Sequence, residues 1–198
     1  MPETGEEIVG AYLRYVKKCE LVQYDMRTSG SKGKGEVDVV GLDLYNDEVY
    51  FCEVATHVHG LQYTANARPA NLQRLLPKFE RDIEYAQIHF HHYGKHFMLW
   101  SPVVREPRSK ETKYNQLRDV RQLAAIIKKR YHVTIELIVN EVYWERLQEL
   151  RKVASVFPGM TDSPVVRFIQ IEEHLRRHLS RRSRHSSRPR SRTPVSSS

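Results

Sequence analysis

The stretch of the chain that most constrains its fold runs from Gly33 to His57 and predicts two β-strands joined by a polar turn. The first strand, 36–40, has acidic residues at alternate positions, and the second, 49–55, has one carboxylate inside an apolar run. Because successive side chains of a strand point to opposite faces, pairing of these strands can bring Asp38 and Glu53 together. A carboxylate in an apolar strand is costly to bury unless it is paired or binds a metal, so a functional site is expected here.

The remaining apolar patterns alternate between short strands and helices, which predicts an α/β fold in which helices cover a sheet. The expected helices are 4–18, 77–92, 115–130, 141–156 and 163–180, and the expected strands are 21–27, 36–40, 49–55, 96–104 and 133–139. Asn140 is predicted to cap the helix that follows it. We expect one domain over 1–158, a C-terminal helix over 159–180 and a disordered tail over 181–198, which has nothing apolar to bury.

The net charge of the chain is concentrated near its C-terminus. The 198 residues carry a formal charge of +8, and eight of the 32 Lys and Arg residues lie between Arg176 and Ser198, where there is no acid. The rest of the chain therefore has 24 basic and 24 acidic residues and is formally neutral. An arginine tail can add salt-sensitive affinity for nucleic acid by displacing counterions, and it can also be only a solubilising segment.

The cysteines and the apolar runs indicate the compartment. Cys19 and Cys52 have neither metal nor disulfide spacing, which favours a reducing environment. No apolar run approaches the ~20 residues that span a bilayer. The first residues do not resemble a signal sequence, in which a basic segment is followed by an apolar one. We therefore expect a cytoplasmic protein with no membrane partner.

The hairpin residues also carry a resemblance to a known family. The sequence GEVDVVG at 35–41, a turn, and an apolar strand that ends in Glu-Val resemble the PD-(D/E)XK nuclease superfamily, nearest to the branch that holds archaeal Holliday-junction resolvases. In that superfamily an Asp ends one strand and a Glu-X-Lys motif lies on the next. Asp38 and Glu53 match these acids, whereas the lysine position is Ala55. The resemblance implies a restriction-endonuclease-like three-layer core, with a mixed central sheet flanked by helices.

The resemblance further implies a site for Mg²⁺, or for Mn²⁺ in its place, beside a DNA strand. Asp38, Glu53 and the carbonyl of Val54 would be its ligands, and hard cations do prefer oxygen. Glu6 matches an early Glu in the opening helix of small bacterial relatives and would act through a bound water, with Glu36 as an adjacent carboxylate. The alternative for Glu6 is a purely structural role at a helix N-terminus, where an acid suits the helix dipole.

Because Ala55 occupies the position of the motif lysine, the motif itself supplies no cation. In active relatives a lysine near the attacking water helps to activate it or stabilises charge, and some members of the superfamily supply a substitute from elsewhere in the fold. The candidates here are His57, Gln62 and Lys78. Lys78 follows Pro77 at the predicted start of a helix, which could place it over the sheet.

Basic residues near the hairpin and in the tail are candidates for nucleic-acid contact. Lys32 and Lys34 lie in a predicted flexible loop, 28–35, just before the acidic strand, and they could hold a phosphate near the metal. A solvated glycine-rich turn explains these two lysines equally well. The candidates in the tail are Arg181, Arg182 and Arg184.

These observations favour a metal-dependent endonuclease that hydrolyses DNA phosphodiester bonds in repair, recombination or restriction. The absence of the motif lysine leaves a second possibility open, which is a catalytically weakened or inactive nuclease fold that binds nucleic acid or a partner protein. A third possibility is an adaptor that acts through its Arg/Ser tail. Phosphorylation of the serines would cancel the positive charge of this tail. Because junction resolvases and many restriction enzymes act as dimers, a homodimer is expected by analogy.

Overall fold

A mixed β-sheet with helices on both faces organises the chain. The computed structural model describes residues 2–30, 33–66, 68–106, 115–157, 159 and 161–186, and the side chains of the last segment as far as Ser180. Its helices are α1 (Thr4–Tyr15), α2 (Asn71–His89), α3 (Gln116–Tyr131), α4 (Glu141–Val156) and α5 (Pro164–Ser186). Its strands are β1 (Leu21–Gly30), β2 (Gly33–Asp43), β3 (Glu48–Val54), β4 (Thr64–Ala65), β5 (Arg68–Pro69), β6 (Gly94–Ser101) and β7 (Ile135–Val139). None of the helices in these segments has the length and apolar character needed to cross a bilayer.

Five strands form the main sheet in the order β1-β2-β3-β6-β7, and β4 pairs with β5 in a separate ribbon. The strands β1, β2 and β3 are antiparallel neighbours, whereas β3, β6 and β7 run parallel to one another. Parallel neighbours need a crossover connection, which α2 provides between β3 and β6 and α3 provides between β6 and β7. The predictions of an α/β fold and of a mixed sheet flanked by helices are therefore confirmed.

The alternating side chains of the central strands contribute to two separate hydrophobic clusters. Val40 and Phe51 pack with Phe79 of α2 on one face of the sheet. Val39 and Cys52 pack on the opposite face, which α1, α4 and the first turns of α5 cover. Because both faces are covered, the central strands are apolar at nearly every position, as is usual for buried strands.

The prediction of a flexible loop over 28–35 is wrong for the part of this segment that the structure describes. β1 continues to Gly30 and β2 starts at Gly33, so the two strands form a long hairpin. Ladder hydrogen bonds join backbone groups and require no particular side chain, so a glycine-rich sequence can still pair. Gly33 has a φ of +99°, which suits glycine beside the turn. Lys32 lies outside the described residues.

Helix α2 begins at Asn71, well before its predicted start, and Pro77 lies inside the helix. The first turns form because Leu75 is buried in the core beneath them, which compensates for the N–H that proline removes from the helix ladder. The side chain of Asn71 fixes the start of the helix, since it accepts a hydrogen bond from the Tyr63 N–H and donates one to the Leu61 carbonyl. Sequence analysis also missed the ribbon of β4 and β5, whose strands are too short for a periodic pattern.

The prediction that Asn140 caps α4 through its side chain is wrong. Asn140 does precede α4, but it makes no side-chain cap. Its side-chain amide instead accepts a hydrogen bond from the Val104 N–H at 2.9 Å and donates one to the Val104 carbonyl at 3.0 Å. Asn140 therefore ties the end of β7 to the segment after β6, a long-range contact that a local cap signal does not reveal.

The C-terminal helix is longer than predicted. Helix α5 continues to Ser186, so the backbone at Arg181, Arg182 and Arg184 is helical, whereas the helix was predicted to end at Ser180. Arginine is a good helix former, so the sequence of this segment is compatible with a helix. Residues 187–198, the remainder of the predicted tail, lie outside the described part of the chain.

Candidate active site

Asp38 lies at the point where β2 and β3 stop pairing. The pair of Val39 with Cys52 is the last rung of their ladder at this end. Beyond it the carboxylate of Asp38 accepts a hydrogen bond from the Val54 backbone N–H at 2.6 Å. The backbone of β3 therefore holds the Asp38 side chain beside the strand segment that carries Glu53, in agreement with the predicted proximity of the two acids.

Glu53 is the buried acid of the site. It is 1% exposed, and its strand is paired on both sides, with β2 and β6. One carboxylate oxygen accepts a hydrogen bond from Lys78, and the other, Oε1, is buried with no hydrogen-bond partner among the described residues. Burial, followed by repulsion from Asp82 and Asp38, raises the pKa of Glu53 well above its usual range, although Lys78 opposes this shift. The folded structure therefore disfavours the ionised form of Glu53 unless a cation is close.

Lys78 joins the two acids. It lies on α2, and its Nζ donates hydrogen bonds to Asp38 Oδ1 at 3.2 Å and to Glu53 Oε2. Burial lowers the pKa of Lys78, but the carboxylates of Glu53 and Asp38 outweigh this effect and raise that pKa above its ordinary value. The side chain is therefore an ammonium at neutral pH. Of the three candidates for the missing cation, Lys78 is the one that contacts both acids.

Asp82 is a fourth charged residue of this cluster, and sequence analysis did not identify it. It lies one helical turn after Lys78 and is 1% exposed. Its carboxylate oxygens have no N–H or hydroxyl donor among the described residues. Burial raises the pKa of Asp82 above its ordinary value, and a side-chain hydrogen bond with Glu53, followed by the charges of Lys78 and Arg81, opposes this shift. The signal was present in the sequence, because Asp82 stands among the apolar positions of α2, where an acid is unusual.

The N-terminus of α1 approaches the same end of the sheet. A side chain at Gly5 would collide with Thr56, which follows β3, so the helix packs directly on this segment. Glu6 accepts a hydrogen bond from the Glu3 N–H at 2.7 Å, which completes a capping box. Burial raises the pKa of Glu6, and the nearby charge of Asp38 adds to that shift. Glu6 thus has the structural role of a cap and also lies within electrostatic reach of the site.

His57 and Gln62, the other two candidates for the cation, are exposed. The His57 ring contacts the ring of Tyr63 edge-on, with centroids 5.3 Å apart, and has no hydrogen bond to the site acids among those described. Gln62 and Tyr63 line an open groove of about 630 Å³ that Lys78 also borders. The groove therefore borders the site at Lys78, and Tyr63, which lies within electrostatic reach of Lys78, Asp38 and Glu53, is a second residue near the site that sequence analysis did not identify.

Two further predicted residues, Glu36 and Lys34, lie along β2 on the hairpin side of the acids. Both are exposed. Glu36 stands opposite Arg27 of β1 and is not among the groups that shift the pKa values of the buried acids. Glu36 therefore lies outside the group formed by Asp38, Glu53, Lys78 and Asp82. We call this group of four residues the site cluster.

The site cluster has the donor types of a cation site but not its arrangement. Within the described part of the chain, no group of three or more His, Cys, Asp and Glu side chains is placed to hold a metal. The ammonium of Lys78 lies between Asp38 and Glu53, where a metal would bind. Carboxylate oxygens and the Val54 carbonyl are suitable ligands for Mg²⁺ or Mn²⁺, and the cluster has three acids but a single lysine. The residues therefore fit a divalent cation in kind, once the Lys78 side chain moves aside.

Comparisons with known proteins do not place the chain in a family. No family model matches it, and no curated protein sequence matches it. A solved structure that it can be aligned with is the crystal structure of a protein of unknown function, AF1548, at 14% sequence identity and a TM-score of 0.43. The alignment covers 77% of this chain and 68% of that one. The functional interpretation therefore depends on the residues of the site.

Proposed function

We propose that the chain is a metal-dependent endonuclease that hydrolyses DNA phosphodiester bonds on a restriction-endonuclease-like core. The main support is the contact of the Lys78 ammonium with both Asp38 and Glu53. In the superfamily that the hairpin resembles, two acids and a lysine form the reactive group. Here Asp38 and Glu53 match the acids by strand position, and Lys78 supplies the cation from α2 in place of the buried Ala55.

Asp38, Glu53 and the carbonyl of Val54 would hold Mg²⁺ or Mn²⁺ in this enzyme. A divalent cation bound there polarises the scissile phosphate and lowers the pKa of a bound water. Two observations support this role. The three acids of the cluster outnumber its one lysine, and the carboxyl groups of Glu53 and Asp82 are buried against each other, so the cluster is short of positive charge.

Lys78 acts in this proposal as a positive charge and not as a base. Because its pKa is raised, it keeps its proton at neutral pH. It can therefore donate hydrogen bonds to phosphate oxygens and stabilise the negative charge that develops on them. Glu6 lies within electrostatic reach of Asp38 and matches the carboxylate that acts through a bound water.

The direct test is a cleavage assay with the purified full chain. Supercoiled plasmid, branched DNA and single-stranded DNA are incubated with Mg²⁺ or Mn²⁺, and nicked or shortened products are measured. We expect cleavage that EDTA abolishes. Lys78→Ala should lower the rate roughly 100-fold or more, since it removes a charge aimed at the reacting phosphate.

The matched control is Lys128→Ala, which removes an exposed lysine from α3 and should cleave at the normal rate. Asp38→Ala combined with Glu53→Ala should abolish cleavage. Unchanged cleavage by that double variant would exclude these residues as the catalytic site. No cleavage of any substrate by the unaltered chain with either metal would end the nuclease proposal.

A second candidate function is nucleic-acid or partner binding by the same fold without catalysis. The observation that favours it is the Lys78 ammonium, which fills the space between the two acids that a metal would need. A permanently bridging lysine would make the site cluster a structural ion pair. Retained DNA binding, no cleavage with any divalent metal, and a melting temperature that Mg²⁺ and Mn²⁺ leave unchanged would together support this second function.

A further inference from the structure

The groove beside the site cluster has a row of cations along one wall. Arg74, Lys78 and Arg81 all line it and occupy positions i, i+4 and i+7 of α2. These spacings place the three side chains on one face of the helix, and the first and last α-carbons are about 10 Å apart along the axis. Among the described residues, neither Arg74 nor Arg81 has an ion pair with an acid. Arg74 is exposed, and Arg81 lines the groove although its Nε atom is buried.

Strand β2 continues this row. A Cβ atom added to Gly35 would collide with the guanidinium group of Arg81, so the arginine lies directly across the strand at that glycine. Lys34, which precedes Gly35 in β2, is exposed. The positive groups thus extend past Lys78 in both directions, whereas Glu53 and Asp82 are buried and Asp38 is partly exposed.

The lining of the groove also includes an aromatic ring. Tyr63 lines the groove, and its ring meets His57 at an interplanar angle of 84°. A T-shaped pair covers less of the two rings than a stacked pair does, and Tyr63 is only partly buried where it packs against the hydrophobic cluster under α2. An aromatic ring beside a row of cations is a combination with which proteins bind unpaired nucleotides, the cations contacting phosphates and the ring stacking on a base.

We propose that this groove binds a single-stranded segment of nucleic acid, with its phosphates along Arg74 and Arg81 and a base against Tyr63. The inference rests on the proposed function, because it makes the groove the path by which an unpaired strand reaches Lys78. A duplex presents the same phosphates, but its bases are paired and stacked, so it cannot use the Tyr63 ring. The groove therefore prefers single strands or the unpaired arm of a branched substrate.

Binding is tested separately from cleavage by fluorescence anisotropy in EDTA. The full chain is titrated into a labelled single-stranded DNA, the corresponding duplex, and a single-stranded RNA of the same sequence. We expect the single strands to bind more tightly than the duplex. The comparison of RNA with DNA shows which sugar the protein prefers. Tight binding of either single strand supports the proposal that the groove binds an unpaired strand. A duplex bound as tightly as both single strands would overturn the inference.

The variants identify the groove as the binding site. Arg74→Ala with Arg81→Ala should weaken single-strand binding roughly tenfold or more, and should reduce the slope of log affinity against log salt by about 1.4 for two phosphate contacts. The matched control is Arg121→Ala with Lys129→Ala, which removes two exposed cations from α3. Equal losses in both double variants would overturn the inference. The C-terminal arginines are present in every variant, so their contribution cancels.

Two smaller changes test the geometry. Tyr63→Leu keeps apolar bulk and removes the ring, and it should weaken single-strand binding roughly fivefold or more while duplex binding stays the same. Gly35→Ala should displace Arg81 and weaken binding, but should have no further effect when Arg81 is already alanine. Far-UV circular dichroism and melting temperature check that each variant is folded. A Gly35→Ala effect that persists without Arg81 would contradict the proposed position of that side chain.

The two proposals can fail independently. Groove-dependent binding in EDTA without any cleavage in Mg²⁺ or Mn²⁺ would end the nuclease proposal and leave the groove assignment standing. Cleavage that the arginine double variant leaves unchanged, together with unchanged binding, would end the groove assignment and leave the nuclease proposal standing.

Discussion

Two ionic clusters on opposite faces of the sheet contain similar charges in different surroundings. The site cluster lies under α2, and the other, which we call the surface cluster, joins α4 to β7 and consists of Glu136, Arg146 and Glu149. Both clusters contain more acids than cations. The two acids of the surface cluster are 44% and 42% exposed, whereas Glu53 and Asp82 are each 1% exposed. Water can compensate the excess charge in the first case and not in the second.

The comparison shows that burial, and not the number of ion pairs, distinguishes a candidate functional site from an ordinary surface network. Exposed pairs contribute little to stability because water and salt screen them. Buried charges with missing partners are costly, so a fold that keeps them is a candidate for using them. The following predictions test this difference, from the largest expected effect to the smallest.

Lys78→Met should cause the largest loss of stability. It leaves Glu53 and Asp82 buried without their cation, and removing one partner of a buried pair costs roughly 3–5 kcal/mol of unfolding free energy. The matched change in the surface cluster, Arg146→Met, should cost at most about 1 kcal/mol. Urea denaturation of both variants near neutral pH measures the two values. Equal losses would show that burial does not separate the clusters.

Divalent metal should stabilise the protein through the site cluster. A cation that binds only the folded state at 100 times its dissociation constant adds about 2.7 kcal/mol. We therefore expect Mn²⁺ to raise the melting temperature of the unaltered chain, and Asp38→Ala to remove this shift. Glu149→Gln, in the surface cluster, should keep it. A shift of equal size in all three proteins would locate the metal elsewhere.

Asp82→Asn should stabilise the metal-free protein at alkaline pH. Burial raises the pKa of Asp82 in the folded state, so the folded protein binds this proton more tightly than the unfolded chain does. Stability therefore falls as the pH rises from the unfolded-state pKa, near ~4, through the raised folded-state pKa. The stability of the asparagine variant should therefore fall less steeply with pH, and its free energy of unfolding at pH 8 should be roughly 1–2 kcal/mol higher than that of the unaltered chain. Urea unfolding in EDTA between pH 5 and pH 8 measures it. An unchanged pH dependence would contradict the expectation.

Tyr12→Phe should have the smallest effect. The Tyr12 hydroxyl donates a hydrogen bond to Glu149 of the surface cluster at 2.8 Å. Because Glu149 is 42% exposed, water can take the place of the hydroxyl, so we expect the loss of this hydrogen bond to cost only about 1 kcal/mol of unfolding free energy. The ring keeps its edge-on contact with Trp100, at 5.1 Å between centroids. Urea denaturation alone and in combination with Glu149→Gln measures the coupling. A loss well above 2 kcal/mol would show that the surface cluster also depends on partners that water cannot replace.

The sequence predicted the parts of the site that follow from strand alternation. Asp38 and Glu53 were identifiable because acids in apolar strands are conspicuous and the turn between them brings the strands together. Lys78 was one of three candidates, since nothing local to it reveals which part of the sheet α2 crosses. Asp82 was missed because an acid on a helix is usually exposed, although its place among the apolar positions of α2 indicated that it faces inward.

Other features escaped sequence analysis for the same reason. Tyr63 lies in a segment with no periodic pattern, and its position beside the site depends on the Asn71 side chain, which is hydrogen-bonded to it. The Asn140 side chain has a partner in a distant segment. Local patterns thus predicted the elements, whereas the contacts between elements required the structure.

The four charged groups of the site cluster all come from one continuous stretch of chain, 38–82, which is complete before β6 begins. During synthesis the ribosome would release this stretch ahead of the strands and helices that extend the sheet and cover its far side. The later half of the chain supports the site cluster without contributing a charged group to it. Substitutions there can accumulate with little direct consequence for the cluster, so we expect divergence among related chains to be concentrated in that half.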